Sequence, residues 1–394
     1  MKIIFLIEDG LGDWPLEELN GKTPLEAART PNLDRLAPYS LLGTCQTIPK
    51  GFPSGSDVAN MALLGYAPEK YHTGRGPIEA AAKGILAQAN DVIWRCNLVS
   101  VSEFGPKGKM LDYAAGHISS EQALKLINWL NQQLQDKEFK LTFGLQYRHL
   151  LIQPNAPHKI LGLTPNPPHD ILNQSIAKDL QIYQKYPPLF QFLTKAAQLL
   201  ANNPIWPKAN ALWPWGQGTP LQLENFTQKT GLKGAVISAV DLIKGLGKAA
   251  GLEVIEVPGA TGLTNTNYKG KVSAALKALK SKDFVFLHLE GPDEAGHCGD
   301  VKAKIKAIEF FDKLILAPIL SQLKEPFTLA ILCDHFTPIR LRTHVAEPVP
   351  FLIYRSNYKY KGFPQFCEKT AQNANLFIPR GDEFLNFVQE QAGA

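Results

Sequence analysis

The sequence predicts an α/β protein: a mostly parallel sheet with helices on both faces, built from both chain ends, with a smaller α/β domain inserted between them. Three observations point there. After Gly231, short apolar runs alternate with helical patterns, which is how a parallel sheet covered by helices reads. The chain also opens on such a run, Lys2–Ile7, which meets acid at Glu8 and Asp9 as the C-terminal runs do at theirs. Between these ends the texture changes, with Pro and Asn gathering over 154–168 and Pro and Trp over 204–220. The economical arrangement is a discontinuous domain of residues 1–80 and 208–394 around an insert of 81–207, with the substrate expected between the two.

The elements follow in order. Lys2–Ile7 reads as a buried strand. Thr23, Pro24 and Glu26 form a capped helical start, with Thr as N-cap, Pro at the first position and Glu at the third. Thr30-Pro31-Asn32-Leu33-Asp34 restarts a second short helix by the same devices. The loop 49–57 feeds a small-residue helix over 58–64, and 73–77 makes a tight turn. In the middle, 91–101 and 140–153 are strand-like, 120–135 and 172–200 are helical, and 204–220 is a return linker or site loop. Then come strands at 235–240, 253–257, 284–289, 329–333 and 350–354. Helices fall at 241–250, 271–279 and 300–324, with a terminal helix from Asp382.

At 394 residues the chain holds two cores comfortably. A net charge of +5 is too small for a dedicated nucleic-acid binder, yet leaves room for a local basic pocket that takes an anionic substrate. The five cysteines contain no CxxC pair and are odd in number, which favours free thiols in a reducing compartment. No apolar run approaches the ~18–20 residues that span a bilayer. The N-terminal run is too short for a signal-peptide core. A cytoplasmic protein with neither membrane nor nucleic-acid partner is expected; its oligomeric state is left open.

Chemistry concentrates between Phe284 and His344. Asp293, His297, Asp334, His335 and His344 lie there, and Asp9 ends the first strand. In open α/β sheets ligands collect beyond the carboxyl ends of parallel strands. Oxygen and nitrogen donors without thiolate suit Mn, Zn, Co or Mg. Three carboxylates and three imidazoles exceed one tetrahedral site, so two adjacent metals are the natural count, a pair suited to phosphoryl transfer. Asp293 and His297 share a face if their segment is helical, although Gly296 weakens that helix. Ser56, just before a helical pattern, reads as an N-cap or as a nucleophile whose phosphate would meet a helix N-terminus. Ser54 is the rival nucleophile. His288, alternating with apolar neighbours, reads as a packed or second-shell histidine. Trp213 and Trp215 read as domain-interface packing, and Cys298 and Cys333 as small buried hydrophobes.

Several strings then carry a resemblance: Gly21–Ala28, Thr30–Asp34, Gly55-Ser56-Asp57-Val58-Ala59-Asn60, Gly74-Arg75-Gly76-Pro77, Arg95–Val99, Trp213–Gly218, Val257–Gly262, Asp293–His297, Asp334-His335 and Thr343-His344. Together they resemble the phosphoglycerate mutases of the alkaline phosphatase superfamily, in the archaeal-type, cofactor-independent branch. The resemblance runs from residue 1 to about 355 and is weakest over 120–205. It implies an alkaline-phosphatase-like fold and an isomerase that interconverts 3-phosphoglycerate and 2-phosphoglycerate through phosphorylated Ser56. One metal would be held by Asp9, Ser56, Asp334 and His335, and the other by Asp293, His297 and His344. Two divalent ions are implied, Mn foremost with Mg, Co or Zn as alternatives, and no 2,3-bisphosphoglycerate. Arg75, Arg95, Arg148 and Lys244, with Asn97 and His117 as polar helpers, would bind substrate phosphate and carboxylate. The alternatives are a metal-dependent phosphatase using the same serine and metals, and a phosphometabolite-binding protein without turnover.

Overall fold

The computed structural model describes residues 2–393. Its strands are β1 (Lys2–Glu8), β2 (Leu41–Cys45), β3 (Val92–Val101), β4 (Met110–Asp112), β5 (Lys140–Leu145), β6 (Arg148–Gln153), β7 (Ala211–Gly218), β8 (Gly234–Ile237), β9 (Glu253–Val254), β10 (Phe284–Leu289), β11 (Phe327–Leu332), β12 (Val349–Arg355) and β13 (Phe377–Ile378). They fall into two compact units, Met1–His72 with Gln222–Ala394, and Thr73–Leu221.

The first unit is built on an eight-stranded sheet in the order β13-β2-β12-β11-β1-β10-β8-β9. β1 pairs in parallel with both β10 and β11, and β10 with β8, while β12 runs antiparallel to β11 and β2. The three central strands are near-continuous apolar runs, as strands buried on both faces must be, and every residue of β10 and β11 is buried. Their register decides where chemistry can go. Glu8 lies opposite Leu289, and Ile7 opposite both His288 and Leu332. Asp9, Asp293 and Asp334 therefore emerge past the carboxyl ends of three adjacent parallel strands.

The second unit holds an entirely antiparallel sheet with β3 at its centre, flanked by β6 and β7, with β4 and β5 outside. Helices Ser120–Leu134, Ala177–Gln184 and Pro187–Leu200 pack around it. Trp94, Tyr183, Leu193 and Trp213 are among the side chains that fill its core. The 81–207 insert expected from the sequence lies within this unit. The unit also takes helix Arg75–Ala82, which packs on β3 and β7, and β7 itself.

Several local expectations change. The 204–220 segment is no linker: Trp213-Pro214-Trp215 sits in β7 against β3. The single helix over 172–200 is two, because Pro187 and Pro188 can only begin a helix. The turn at 73–77 opens the helix Arg75–Ala82. The Thr23 cap forms as a full capping box with Glu26. Thr30, by contrast, makes no side-chain cap; the backbone N–H groups of Asn32 and Leu33 donate to the Asp312 carboxylate instead. Asp312 begins a π-helical turn, Asp312–Leu316, in the long 301–322 helical stretch, a local widening that often marks a constrained position.

Candidate metal centre

Each expected ligand is placed by a short local device. Asp9 follows β1, and its N–H donates to the Leu289 carbonyl at 2.8 Å. Gly10 then turns at φ +64°, where a Cβ would press on Thr337 and Asp293, so only glycine fits. Asp293 and His297 lie on the helix Gly291–Cys298 despite Gly296, which is required there because a Cβ would meet the Thr337 carbonyl. Asp334 is the most firmly held. Its Oδ1 accepts from the N–H groups of Gly10 (3.2 Å) and His335 (2.9 Å), and its Oδ2 from Asn60 Nδ2 (2.8 Å).

Ser56 is not a capping serine. Gly55 is the N-cap and Ser56 the first residue of the helix Ser56–Leu63, which frees its hydroxyl to face the centre. Its Oγ lies 3.1 Å from His335 Nε2. Ser54 contributes its carbonyl, which accepts from His344 Nδ1 at 3.2 Å.

The carboxylates and imidazoles interlock. Asp9 Oδ1 is 3.4 Å from His335 Nε2, and Asp334 Oδ2 is 3.5 Å from the same nitrogen. Asp293 Oδ1 is 3.3 Å from His344 Nε2, and its Oδ2 is 3.4 Å from His297 Nε2. The Nδ1 atoms are taken: His297 by the Arg342 carbonyl (3.0 Å), His344 by Ser54, and His335 by Thr337 Oγ1 (3.3 Å). An imidazole whose Nδ1–H is engaged presents its Nε2 lone pair, the arrangement of a metal-ligating histidine with its outer partner. The Nε2 atoms of His297 and His344 stand 2.9 Å apart, so a proton or a cation must lie between the two lone pairs. Asp9 Oδ1, buried, has no hydrogen-bond partner. Asp293–His297–His344 and Asp9–Asp293–His335 each bring three donor atoms within 4.8 Å of one another. This donor set fits divalent cations.

Electrostatics divide the cluster. Burial, then Asp334 and Asp293, push the Asp9 carboxyl well above its ordinary range. Burial also pushes Asp334 up, but His335 and His288 more than offset it and leave that carboxyl low. At Asp293, burial is overcome by hydrogen bonds from His297 and His344, and the carboxyl lies well below its usual range. Asp293 in turn raises His297 to about 9 against the opposing effect of burial. Burial holds His335 down.

His288 carries more than packing. Fully buried on β10, it stands 3.4 Å from Asp9 Oδ2 through Nε2 and 3.1 Å from Glu290 Oε1 through Nδ1. Of the two roles expected for it, packing and support of a ligand, the structure gives it the second as well as the first. Cys333 is buried as expected, but Cys298 is exposed at the end of its helix.

A second cluster lies in the second unit. Glu79 Oε1 accepts from Arg95 Nη1 (2.5 Å) and Arg75 Nε (3.1 Å). Both guanidinium groups lie over the Trp215 ring, at 5.0 and 5.5 Å from its centre. Arg95 Nε donates to Asn97 Oδ1 at 3.2 Å, and Asn97 lies opposite Arg148 in the β3–β6 register. Burial lowers Arg95 to about 10 despite Glu79. Four of the six expected substrate contacts thus gather here. His117 is instead an exposed turn residue at φ +55°. Lys244 belongs to the first unit, paired with Glu256 at 2.8 Å and lying 3.9 Å from Asp241. Trp213 and Trp215, expected at an interface, are built into the second unit's own core.

Known proteins resemble this chain along its whole length. The Metalloenzyme superfamily profile matches residues 1–380. The 2,3-bisphosphoglycerate-independent phosphoglycerate mutase of Methanosarcina barkeri is 43% identical over 407 aligned residues, covering 98% of this chain and 99% of the relative. The chain belongs to this mutase family, a branch of the Metalloenzyme superfamily. A solved protein from Pyrococcus horikoshii superposes with a TM-score of 0.82 at 31% identity, covering 100% of this chain and 97% of its own. The cofactor-independent phosphoglycerate mutase of Thermoplasma acidophilum gives 0.65 at 25% identity, with both chains covered fully. Family members are isomerases, and the mixed α/β fold agrees with theirs. Among the described residues no helix is long and apolar enough to cross a membrane.

Proposed function

We propose that this chain interconverts 3-phosphoglycerate and 2-phosphoglycerate, with Ser56 carrying the phosphoryl group between the two hydroxyls of a retained glycerate. The observation that supports it most is the placement of Ser56: a hydroxyl at a helix N-terminus, 3.1 Å from His335, within a cluster of carboxylates and imidazoles. Asp9, Ser56, Asp334 and His335 would hold one divalent ion, and Asp293, His297 and His344 the other, Mn²⁺ being the expected species. Bound there, the ions would neutralise phosphate charge and favour the serine alkoxide.

The protein's own groups account for the rest. Ser56 Oγ forms a bond to phosphorus as the ester P–O bond breaks. The proton lost by the serine balances the one gained by the released hydroxyl. The helix N-terminus offers backbone N–H groups to the phosphoryl oxygens. Arg75, Arg95, Arg148 and Asn97 would hold the anionic glycerate while its other hydroxyl comes round, and Glu79 keeps two of these arginines oriented until then. His117 and Lys244 remain proposed contacts with less support.

The competing reading is a phosphatase that uses the same serine. Supplying 3-phosphoglycerate with Mn²⁺ and following 2-phosphoglycerate and inorganic phosphate together separates them. We expect 2-phosphoglycerate to accumulate to equilibrium with little free phosphate. Phosphate without 2-phosphoglycerate would overturn the mutase reading.

A further inference from the structure

The three ligand carboxylates are not supported alike. Asp334 is fixed by two backbone N–H groups and the Asn60 amide, and Asp293 Oδ1 accepts from the Thr337 hydroxyl at 2.5 Å. Asp9 receives no such bond from any backbone, amide or hydroxyl donor among the described residues. Its side chain meets the carboxyl groups of Asp334 and Asp293, the His335 nitrogen at Oδ1, and His288 Nε2 at Oδ2.

His288 is itself held from behind. Glu290 Oε1 lies 3.1 Å from its Nδ1 and also accepts from Ser238 Oγ (3.0 Å) and the Ala239 N–H (3.3 Å). Glu290 Oε2 pairs with the fully buried Lys271 ammonium at 3.3 Å, which also donates to the His288 carbonyl at 2.8 Å. Buried charges are tolerated when paired and hydrogen-bonded in this way. The resulting chain, Lys271–Glu290–His288–Asp9, runs through the first unit's interior to the floor of the metal centre. Both ring nitrogens of His288 face carboxylate oxygens, and an ionised carboxylate only accepts. With an N–H on each nitrogen, as in the imidazolium, the ring is anchored to Glu290 through Nδ1 and aims Nε2 at Asp9 Oδ2 from 3.4 Å, a distance at which Nε2 makes no hydrogen bond in this structure.

We infer that His288 is a positioning residue for Asp9: it stands against Oδ2 and so presents Oδ1 to the side where His335 and Ser56 stand. This rests on the metal-centre reading given above. A ligand carboxylate without its outer donor rotates freely and binds its ion more weakly, typically by 10–100-fold.

The test compares two substitutions by Mn²⁺ titration of the full-length protein, with Co²⁺ absorption as a second readout. His288→Asn keeps an amide beside Glu290 but does not reach Asp9. His288→Gln extends about as far as Nε2 and restores a donor there. We expect His288→Asn to weaken one of two Mn²⁺ equivalents about 10–100-fold, with a melting profile like the wild type, and His288→Gln to recover most of that loss. A purely structural role would lower the melting temperature without this split between Asn and Gln. Wild-type affinity in both variants would overturn the inference, as would a Co²⁺ spectrum in His288→Gln showing one nitrogen ligand fewer, since His288 would then be a ligand itself. Should the wild type bind no Mn²⁺, the metal-centre reading fails along with it.

Discussion

The two halves of the metal centre differ in depth. Asp9, Asp334 and His335 are 4%, 0% and 0% exposed and sit directly on strand ends. Asp293, His297 and His344 have side chains 13%, 37% and 22% exposed and are delivered by a helix and a loop. In the buried half desolvation raises Asp9 and lowers His335, favouring the uncharged form of each, while Asp334 between them is kept low by His335 and His288. In the open half pairing dominates, keeping Asp293 ionised and raising His297. Carboxylate against imidazole is thus tuned by depth together with the nearest partner: Asp9 is raised, whereas Asp334 and Asp293 are lowered by the imidazoles beside them. The deep half is held by the sheet beside Ser56; the shallow half is carried by a helix and a loop.

The widest contrast is expected at Ser56. Ser56→Ala removes the group proposed to accept phosphate, and turnover should fall by at least ~10³-fold. Mass spectrometry of the wild type quenched with substrate should place a phosphoryl group on Ser56. Undiminished turnover in the variant would move the nucleophile elsewhere, with Ser54 the first alternative. Next in size come the two halves compared directly. Asp334→Asn strips a buried acceptor of its charge while three N–H donors still face it. It should cost the deep ion more than ~100-fold in affinity and also lower stability. His297→Asn, at a half-exposed site, should weaken the shallow ion by only ~10–100-fold and lower the melting temperature less than Asp334→Asn does. Equal effects on both measurements would erase the distinction between the halves.

The pH dependence sharpens the same contrast. In the metal-free protein His297 holds its proton up to about 9, above its ordinary value of 6.5, because Asp293 stabilises the charged ring. With the folded value raised, the stability from this pair is fully present below pH 6.5 and is lost as pH rises through 9. A cation must displace that proton. Affinity in the shallow half should therefore rise about tenfold per pH unit until pH nears 9 and then level. His335, held low by burial, has no such proton to lose near neutrality; any proton released from the deep half comes from Asp9 or the Ser56 hydroxyl. Mn²⁺ titrations from pH 6 to 9.5 in buffers of differing ionisation enthalpy count these protons. A shallow-site affinity flat across that range would contradict the assignment of the proton to His297.

How much of this was legible beforehand follows the same division by depth and distance. Asp9, Asp334 and His335 could be read because charge abruptly ends an apolar run, and an apolar run in a parallel sheet points its end at the site. Asp293 and His297 could be read from their spacing. His288 could be read only as packed or as an outer partner of a ligand, and its neighbour on β1 decides for the second. The same holds for Arg95 and Asn97, which are recognisable as a pair only once β6 and β7 flank β3. Trp213-Pro214-Trp215 misleads because proline rarely marks a strand interior. The Asp312 cap is illegible for another reason: it acts on a helix 280 residues away in sequence. Local signals survive in a sequence; partners supplied by tertiary contact do not.

Thr337 is such a partner, and it joins the halves. Its Oγ1 donates to Asp293 Oδ1 at 2.5 Å in the shallow half and faces His335 Nδ1 at 3.3 Å in the deep half. One hydroxyl can do both, donating its hydrogen to the carboxylate and accepting the imidazole N–H through a lone pair. Thr337→Val keeps the shape and removes both bonds at once. Each ion should then bind more weakly by a similar, modest factor, on the order of threefold to tenfold, at or below the low end for outer-partner losses. The double variant Thr337→Val with His297→Asn should lose less in the shallow half than the product of the single effects, because both changes act through Asp293. In the deep half, by contrast, the Thr337→Val effect should persist undiminished beside His297→Asn. Strict additivity in the shallow half would mean that the hydroxyl does not orient Asp293, and the two halves would be joined by nothing more than proximity.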